Sequence, residues 1–163
     1  MKLFSDYLAE AEAAEKDHGT YASLSPAKED REKLHSWMEH QHIKKLVDAK
    51  DYHCTVVYST KSVPEITNLK VSLPIKARCK EWKVFGPDKM LVIALKSSKA
   101  TALFNKTIKM GAKTDYPSYI PHITVALGFT GDLPKEIPNF DIQFVKFKVG
   151  TIDEDFSYND DDE

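Results

Sequence analysis

Two short stretches, each with a histidine and a threonine separated by one residue, most restrict what this chain can fold into. They are His53-Cys54-Thr55-Val56-Val57 and His122-Ile123-Thr124-Val125-Ala126. Each opens a run of β-branched and apolar residues, which is the composition of a β-strand. Because side chains alternate along a strand, the imidazole and the hydroxyl of each triplet point to one face, about 7 Å apart. The intervening residue points to the other face, toward a core.

Chance does not account for two such triplets. The 6 histidines and 10 threonines in 163 residues predict about 0.4 His-x-Thr triplets. Cleavage of a phosphodiester needs a base for the nucleophile, an acid for the leaving oxygen and donors for the non-bridging oxygens. Two such strands side by side supply all of these, so His53, Thr55, His122 and Thr124 are the candidate catalytic residues. The plainer interpretation is two hydrogen-bonded histidines at strand starts.

The composition is that of a globular domain long enough to bury a sizeable core. Its apolar content is 42% and its charged content 29%, and its longest apolar run falls well short of the roughly 20 residues that span a bilayer. Two cysteines do not make a disulfide framework, so a cytoplasmic location is expected. The net charge of −2 conceals a basic middle: residues 61–113 carry twelve lysines and arginines against three acids. A basic segment suits a phosphate-bearing ligand, although solvated lysines explain many of these positions equally well.

The order of predicted elements indicates an α+β fold with antiparallel pairing rather than a repeated βαβ unit. A phase switch between Phe144 and Val145 predicts a bulge in a long final strand. The predicted elements are a helix over 3–16, a loop from Gly19 to Leu24, a helix from Ser25-Pro26 to about Lys45, strands at 52–59, 75–85, 89–96 and 122–128, and a helix over 98–110.

Candidate substrate-binding residues lie on the strand at 75–85. Its alternation puts Lys76, Arg78, Lys80 and Trp82 on one face, and an aromatic ring among cations is suited to stack a base beside a phosphate. An edge strand with a solvated basic face is the alternative. Tyr21, in the predicted loop, is a candidate to close over a bound base or, alternatively, to pack at a helix junction.

Three further histidines, at positions 35, 40 and 42, fall on the second predicted helix. Zinc ligation from a helix normally uses a pair four residues apart, which these three do not offer. We therefore predict neither a metal site nor a cofactor.

The paired His-x-Thr motifs resemble those of the 2H phosphoesterase superfamily. The chain is also similar to the phage anti-CBASS proteins of that superfamily, which cleave the cyclic oligonucleotides used as alarm signals in bacterial immunity. That closer similarity rests on the stretch Gly19-Thr20-Tyr21-Ala22-Ser23-Leu24, the residues around Trp82 and the acidic end after Gly150.

The resemblance implies a bilobal α+β fold, with antiparallel sheets around a central cleft and helices outside. We accordingly expect one domain of two pseudo-symmetric lobes over residues 1–152, and an acidic tail or flap over 153–163. It also implies a metal-independent phosphodiesterase that cleaves 3′–5′ linkages of cyclic di- or trinucleotides such as cGAMP, so that a phage evades its host's defence. In that case the protein acts in the host bacterial cytoplasm, with no membrane, duplex nucleic acid or protein partner.

Several alternatives stay open at this point. The same chemistry could serve a 2′,5′-oligoadenylate or an RNA 2′,3′-cyclic phosphate, and a protein of another class could sequester nucleotides without cleaving them. Two intact triplets argue against sequestration. The sequence leaves undecided which histidine is the acid, and whether the nucleophile is a ribose 2′-hydroxyl or water.

A first prediction concerns metal dependence. Because two imidazoles act as acid and base, turnover should survive incubation with EDTA at unchanged rate. Loss of activity on chelation, restored by Zn²⁺ or Mn²⁺, would overturn this mechanism. Assays before and after chelation measure it.

Overall fold

The computed structural model describes residues 19–115 and 118–152, which form a six-stranded antiparallel sheet with two helices packed against it. The predicted α+β class with antiparallel pairing is confirmed, while the predicted helix over 3–16 and the acidic tail over 153–163 lie outside the described residues. The elements are β1 (Thr20–Pro26), α1 (Lys28–Glu39), β2 (Cys54–Ser59), β3 (Ile75–Phe85), β4 (Met90–Lys96), α2 (Ser98–Lys109), β5 (His122–Ala126) and β6 (Asp141–Thr151), with 3-10 turns at Ala49–Asp51 and Pro64–Asn68.

The strand order is β2-β1-β6-β3-β4-β5, so the two motif-bearing strands stand at opposite ends of the sheet. The first three strands make one lobe and the last three make the other, and the pairing of β6 with β3 joins them. The segment before β2 pairs with the free side of β5: Leu46 bridges Ala126, and the Val47 amide donates to the Val125 carbonyl at 2.9 Å. The sheet therefore curls until its two ends meet.

One apolar core lies between the sheet and the helices. Directly opposed residues of an antiparallel pair project from the same face, and Ile93 opposes Ile123 in that core. Their neighbours Val92 and Ala94 oppose Thr124 and His122 on the other face, which we call the cleft face. The motif side chains and the core thus occupy opposite sides of one sheet.

The helices pack on the core face through a few buried side chains. In α1 these are Leu34 and Met38, and Asp30 at its first turn accepts a hydrogen bond from the Gln143 amide at 2.8 Å. The Ser97 hydroxyl accepts the Ala100 amide at 3.2 Å as the N-cap of α2, as sequence propensity favours.

Two boundaries differ from the sequence-based expectation. The predicted loop from Gly19 to Leu24 is wrong, because residues 20–24 belong to β1, which pairs on both sides with β2 and β6. The predicted second helix ends at Glu39 rather than near Lys45, because His42 and Lys45 adopt left-handed backbone conformations (φ 57° and 59°) that end a helix. Pairing in the tertiary structure thus overrides weak local propensity.

The predicted bulge in the final strand is confirmed. Ser25 pairs with Lys146 and Pro26 with Phe144, which leaves Val145 as the additional residue. Phe144 is fully buried before the bulge, whereas Val145 is 49% exposed.

A second bulge, in β3, was not predicted and changes the assignment of Trp82. Cys79 pairs with Leu95 and Glu81 with Ala94, so Lys80 is additional and the alternation shifts by one. The prediction that Trp82 shares the basic face is therefore wrong. Its side chain is only 7% exposed on the core face; its ring stacks on Trp37 with centroids 5.7 Å apart, and its indole N–H donates to the Glu136 carbonyl at 2.8 Å.

Replacement of Trp82 by alanine should consequently destabilise the fold. Loss of a buried indole and its hydrogen bond should lower the free energy of unfolding by about 3–5 kcal/mol. Val84→Ala is a matched control, since this exposed residue of the same strand should cost within about 0.5 kcal/mol. Denaturant unfolding measures both, and equal values for the two variants would contradict the burial of Trp82.

Candidate active site

The two His-x-Thr motifs occupy equivalent places in the two lobes. His53 directly precedes β2 and Thr55 lies within it, while His122 and Thr124 lie in β5. Residues Ile123 and Val125, between and after the second pair, belong to the core. Strand alternation therefore presents each imidazole with its threonine on the cleft face, as the residue pattern predicted.

Tyr119 connects the two motifs. Its hydroxyl donates to the Thr55 carbonyl at 2.9 Å and lies 3.8 Å from the Cys54 sulfur, while its ring stacks on Phe104 with centroids 4.5 Å apart. Burial raises the pKa of the Cys54 thiol to about 11, and the Tyr119 hydroxyl and the His122 backbone oppose this increase. The start of β2 and the start of β5 are therefore neighbours, and the two histidines face one shared space.

Both imidazoles are oriented in the same way. His53 Nδ1 lies 2.9 Å from the Asp51 carbonyl, and His122 Nδ1 lies 2.8 Å from the Ile120 carbonyl, in each case two residues earlier. A carbonyl oxygen only accepts, so Nδ1 carries the proton and donates. In the neutral ring Nε2 is then the basic nitrogen. Each lobe thus offers one Nε2 that can take up or release a proton.

The surroundings favour the neutral form of both rings. Burial lowers the pKa of His53, and the positive charge of Lys148 lowers it further, against the effects of the Asp51 carbonyl and carboxylate. Burial also lowers the pKa of His122, and the nearby His53 adds to this decrease, while the Ile120 carbonyl opposes it. Two mutually close imidazoles are not readily charged together.

Tyr21 lies at the first motif. Its hydroxyl is 3.1 Å from the Thr55 hydroxyl, and its ring meets that of His53 edge-on with centroids 6.5 Å apart. The Tyr58 ring also meets that of Tyr21 edge-on, with centroids 5.9 Å apart. The structure therefore brings Tyr21 to the candidate site, although on a strand and not in the expected loop.

Two residues of the site were missed by the sequence analysis. The Phe85 ring contacts His122 edge-on, with centroids 5.0 Å apart. Strict alternation along residues 75–85 would place Phe85 on the core face, and the bulge at Lys80 reverses this. Lys148 lies on β6, remote from His53 in sequence, and its charge lowers the pKa of His53. The basic residues of the last strand were the only sequence feature that pointed to it.

The predicted basic residues Lys76, Arg78 and Lys80 are exposed, as expected for a solvated face. Lys76 and Arg78 each lie 3.9 Å from an Asp141 carboxylate oxygen. Arg78 pairs with Lys96 and not with Ala94, the residue opposite His122, so Lys76 and Arg78 stand beside the second motif on the same sheet.

Within residues 19–115 and 118–152, no three His, Cys, Asp or Glu side chains cluster in a way that could hold a metal ion. His35 lies 3.7 Å from Glu39 and packs near Tyr52, apart from the other two histidines of that region. None of the helices described is long and apolar enough to cross a membrane.

Solved structures share this fold. Escherichia coli LigT complexed with NADP⁺ superposes with a TM-score of 0.61 at 15% identity, over 82% of this chain and 87% of that one. TT0787 of Thermus thermophilus gives 0.61 at 14% identity, over 80% and 86%, and a further match is described as a phosphoesterase, with 0.60 at 13% identity over 82% and 87%. The predicted 2H phosphoesterase-like fold is confirmed.

The family is shown by sequence. The family model for anti-CBASS protein Acb1 matches residues 18–159. The anti-CBASS protein Acb1 of Vibrio phage KVP40 is 23% identical over 145 residues, which cover 88% of this chain and 93% of that protein. The chain belongs to the Acb1 family, and it is a 2H-type phosphodiesterase that degrades cyclic nucleotide signals.

A prediction follows from the environment of the two rings. Because both pKa values are lowered, each imidazole should titrate below the 6.5 of a free ring in the folded protein. The unfolded chain then takes up protons first as the pH falls, so the stability these groups contribute is full above about pH 6.5 and decreases below it.

Ring-proton chemical shifts followed by NMR against pH measure the two values. His53→Ala and His122→Ala identify the resonances by their disappearance, and denaturant unfolding at several pH values tests the linkage. A midpoint at or above 6.5 for either ring would contradict the electrostatic description.

Proposed function

We propose that His53 and His122 are the acid and base of a metal-independent cleavage of 3′–5′ linkages in cyclic di- or trinucleotides. The observation that carries this proposal is the matched pair of imidazoles, each oriented through Nδ1 by a backbone carbonyl and each next to a threonine. One ring takes the proton of the nucleophile, a ribose 2′-hydroxyl or water. The other protonates the departing 5′ oxygen.

The two threonines bind the scissile phosphate in this proposal. Thr55 and Thr124 share the cleft face with their histidines, so their hydroxyls can donate to the non-bridging oxygens as charge develops. Tyr21 already contacts the Thr55 hydroxyl and thereby orients it. Desolvation of the site strengthens these hydrogen bonds.

The negative charge of the bound substrate favours protonation of one of the two imidazoles. Both rings favour the neutral form in the free protein, whereas the proposed mechanism needs one protonated ring. An anionic phosphodiester between them stabilises an imidazolium and raises its pKa on binding. The exposed Lys76, Arg78 and Lys80 on the same sheet contribute a positive potential that attracts such an anion.

The biological role follows from the family. A phage that carries this protein would remove the cyclic nucleotide alarm of its host, in the cytoplasm where that signal is made, before the defence is activated. In this proposal the cyclic nucleotide is recognised near Tyr21 and Phe85, which flank His53 and His122 respectively. It assigns no base contact to the buried Trp82.

Single and double histidine variants test the mechanism. His53→Ala and His122→Ala should each lower the rate by about 10²–10⁴-fold, the usual contribution of one positioned acid or base. The double variant should be little worse than either single variant, because groups that act together are not additive. Affinity should largely persist, so the inactive variants should sequester nucleotide.

The assay is mass analysis of products from a panel of cyclic and linear oligonucleotides, with equilibrium binding alongside. His40→Ala is the matched control: its ring is exposed, and its Nδ1 makes the same kind of bond to a backbone carbonyl, that of Ser36, at 2.8 Å. Near wild-type turnover by either single variant would refute the two-histidine mechanism. Return of every nucleotide unchanged by the wild-type protein would indicate a sequestering protein instead.

A further inference from the structure

Each motif threonine has a lysine two strands inward, in the same cross-strand row. In the second lobe Thr124 opposes Val92, which opposes Lys83. In the first lobe Thr55 opposes Ser23, which opposes Lys148. The two rows have the same order: a threonine on the outer strand, a serine or valine on the middle strand and a lysine on the inner strand.

These rows lie on the cleft face. Directly opposed residues of an antiparallel sheet project from the same side, so both lysines share the side of their threonine. Adjacent strands are about 4.8 Å apart, so each lysine backbone lies roughly 10 Å from that of the threonine. An extended lysine side chain pointing toward the motif therefore reaches the space beside the scissile phosphate but not the space between the threonines.

The two rows differ in charge. The Lys83 ammonium lies 3.6 Å from a Glu81 carboxylate oxygen, and the two side chains are 36% and 47% exposed, so much of the lysine charge is compensated. Lys148 opposes the hydroxyl residue Ser23, and the neighbouring cation Lys146 opposes Ser25. The first lobe therefore presents a positive surface at the position where the second lobe presents an ion pair.

We propose that Lys148, with Lys83 as its weaker counterpart, binds a second phosphate of the substrate while the two motifs hold the scissile one. This rests on the proposed function, since it takes the motifs as the site of cleavage. The ligand class is a nucleotide with at least two phosphodiester groups. A lysine is a compact point charge suited to an anionic oxygen that need not be held in a fixed orientation.

Selectivity for substrates with a second phosphodiester group follows from this arrangement. A dinucleoside monophosphate has only the scissile group and gains nothing from Lys148. A cyclic dinucleotide carries a second phosphodiester beside the first and gains one charge-assisted contact in the ground state and the transition state alike. Such uniform binding lowers KM and leaves kcat nearly unchanged.

The experiment compares a cyclic dinucleotide with a dinucleoside monophosphate on wild-type protein and on Lys148→Met, Lys83→Met and Lys148→Arg. The monophosphate is measured by kcat/KM if it is cleaved and by its inhibition constant if it is not. Lys106→Met is the control for removal of one charge, because this exposed lysine lies on α2, against the core face.

Lys148→Met should reduce kcat/KM for the cyclic dinucleotide by at least about tenfold through KM, the factor that corresponds to about 1.4 kcal/mol. Loss of the Lys148 charge beside His53 acts on both substrates alike, so the reduction for the cyclic dinucleotide should exceed that for the monophosphate by about tenfold, and this excess should shrink in high salt. Lys83→Met should show a smaller change of the same kind, and Lys148→Arg should restore most of the loss.

Equal reductions for both substrates, or none for either, would overturn the role of Lys148 while leaving the proposed function intact. Cleavage of neither substrate by the wild-type protein would overturn the proposed function, and the assignment of Lys148 with it.

Discussion

Closure of the sheet is the constraint on which the site depends. In the strand order, β2 and β5 are separated by four strands, a distance of roughly 24 Å in a flat sheet at about 4.8 Å per strand. Curling and the pairing of residues 45–47 with β5 remove that separation. The Tyr119 hydroxyl, from the segment just before β5, then donates a hydrogen bond to the Thr55 carbonyl in β2. Two imidazoles that each lobe orients separately thereby come close together at one cleft.

The two lobes repeat their geometry but not their electrostatics. Both histidines donate Nδ1–H to the carbonyl two residues back, so local chain geometry orients both rings alike. Their surroundings differ: Lys148 lies by His53, whereas Phe85 meets His122 edge-on and a Glu81–Lys83 pair lies along β3 in that lobe. These differences give the two imidazoles distinct electrostatic environments, in addition to the interaction between the two rings, which suits the proposed division into one acid and one base.

Two of the four register shifts in the described sheet, those in β6 and β3, show how far an alternating sequence pattern predicts which face a side chain takes. In β6 the apolar residues themselves change phase around Val145, so the additional residue was predicted and is present. In β3 strict alternation would place the charged residues Glu81 and Lys83 on the apolar face. The bulge at Lys80 reverses this: Glu81, Lys83 and Phe85 turn to the cleft face and Trp82 to the core. A bulge leaves a sequence signal only where the residues after it keep their hydrophobic contrast.

The sequence by itself determined the elements of the site that are local. A His-x-Thr triplet on a strand presents both groups on one face whatever surrounds it, and each ring bonds a carbonyl only two residues away, so both motifs were predictable from spacing. Tertiary structure alone decided what depends on partners remote in the chain: that residues 20–26 form a strand, that Trp82 is buried, and that Phe85 and Lys148 flank the histidines. The physical reason is that strand pairing joins segments far apart in sequence, and a single added residue in one strand reverses every side chain beyond it.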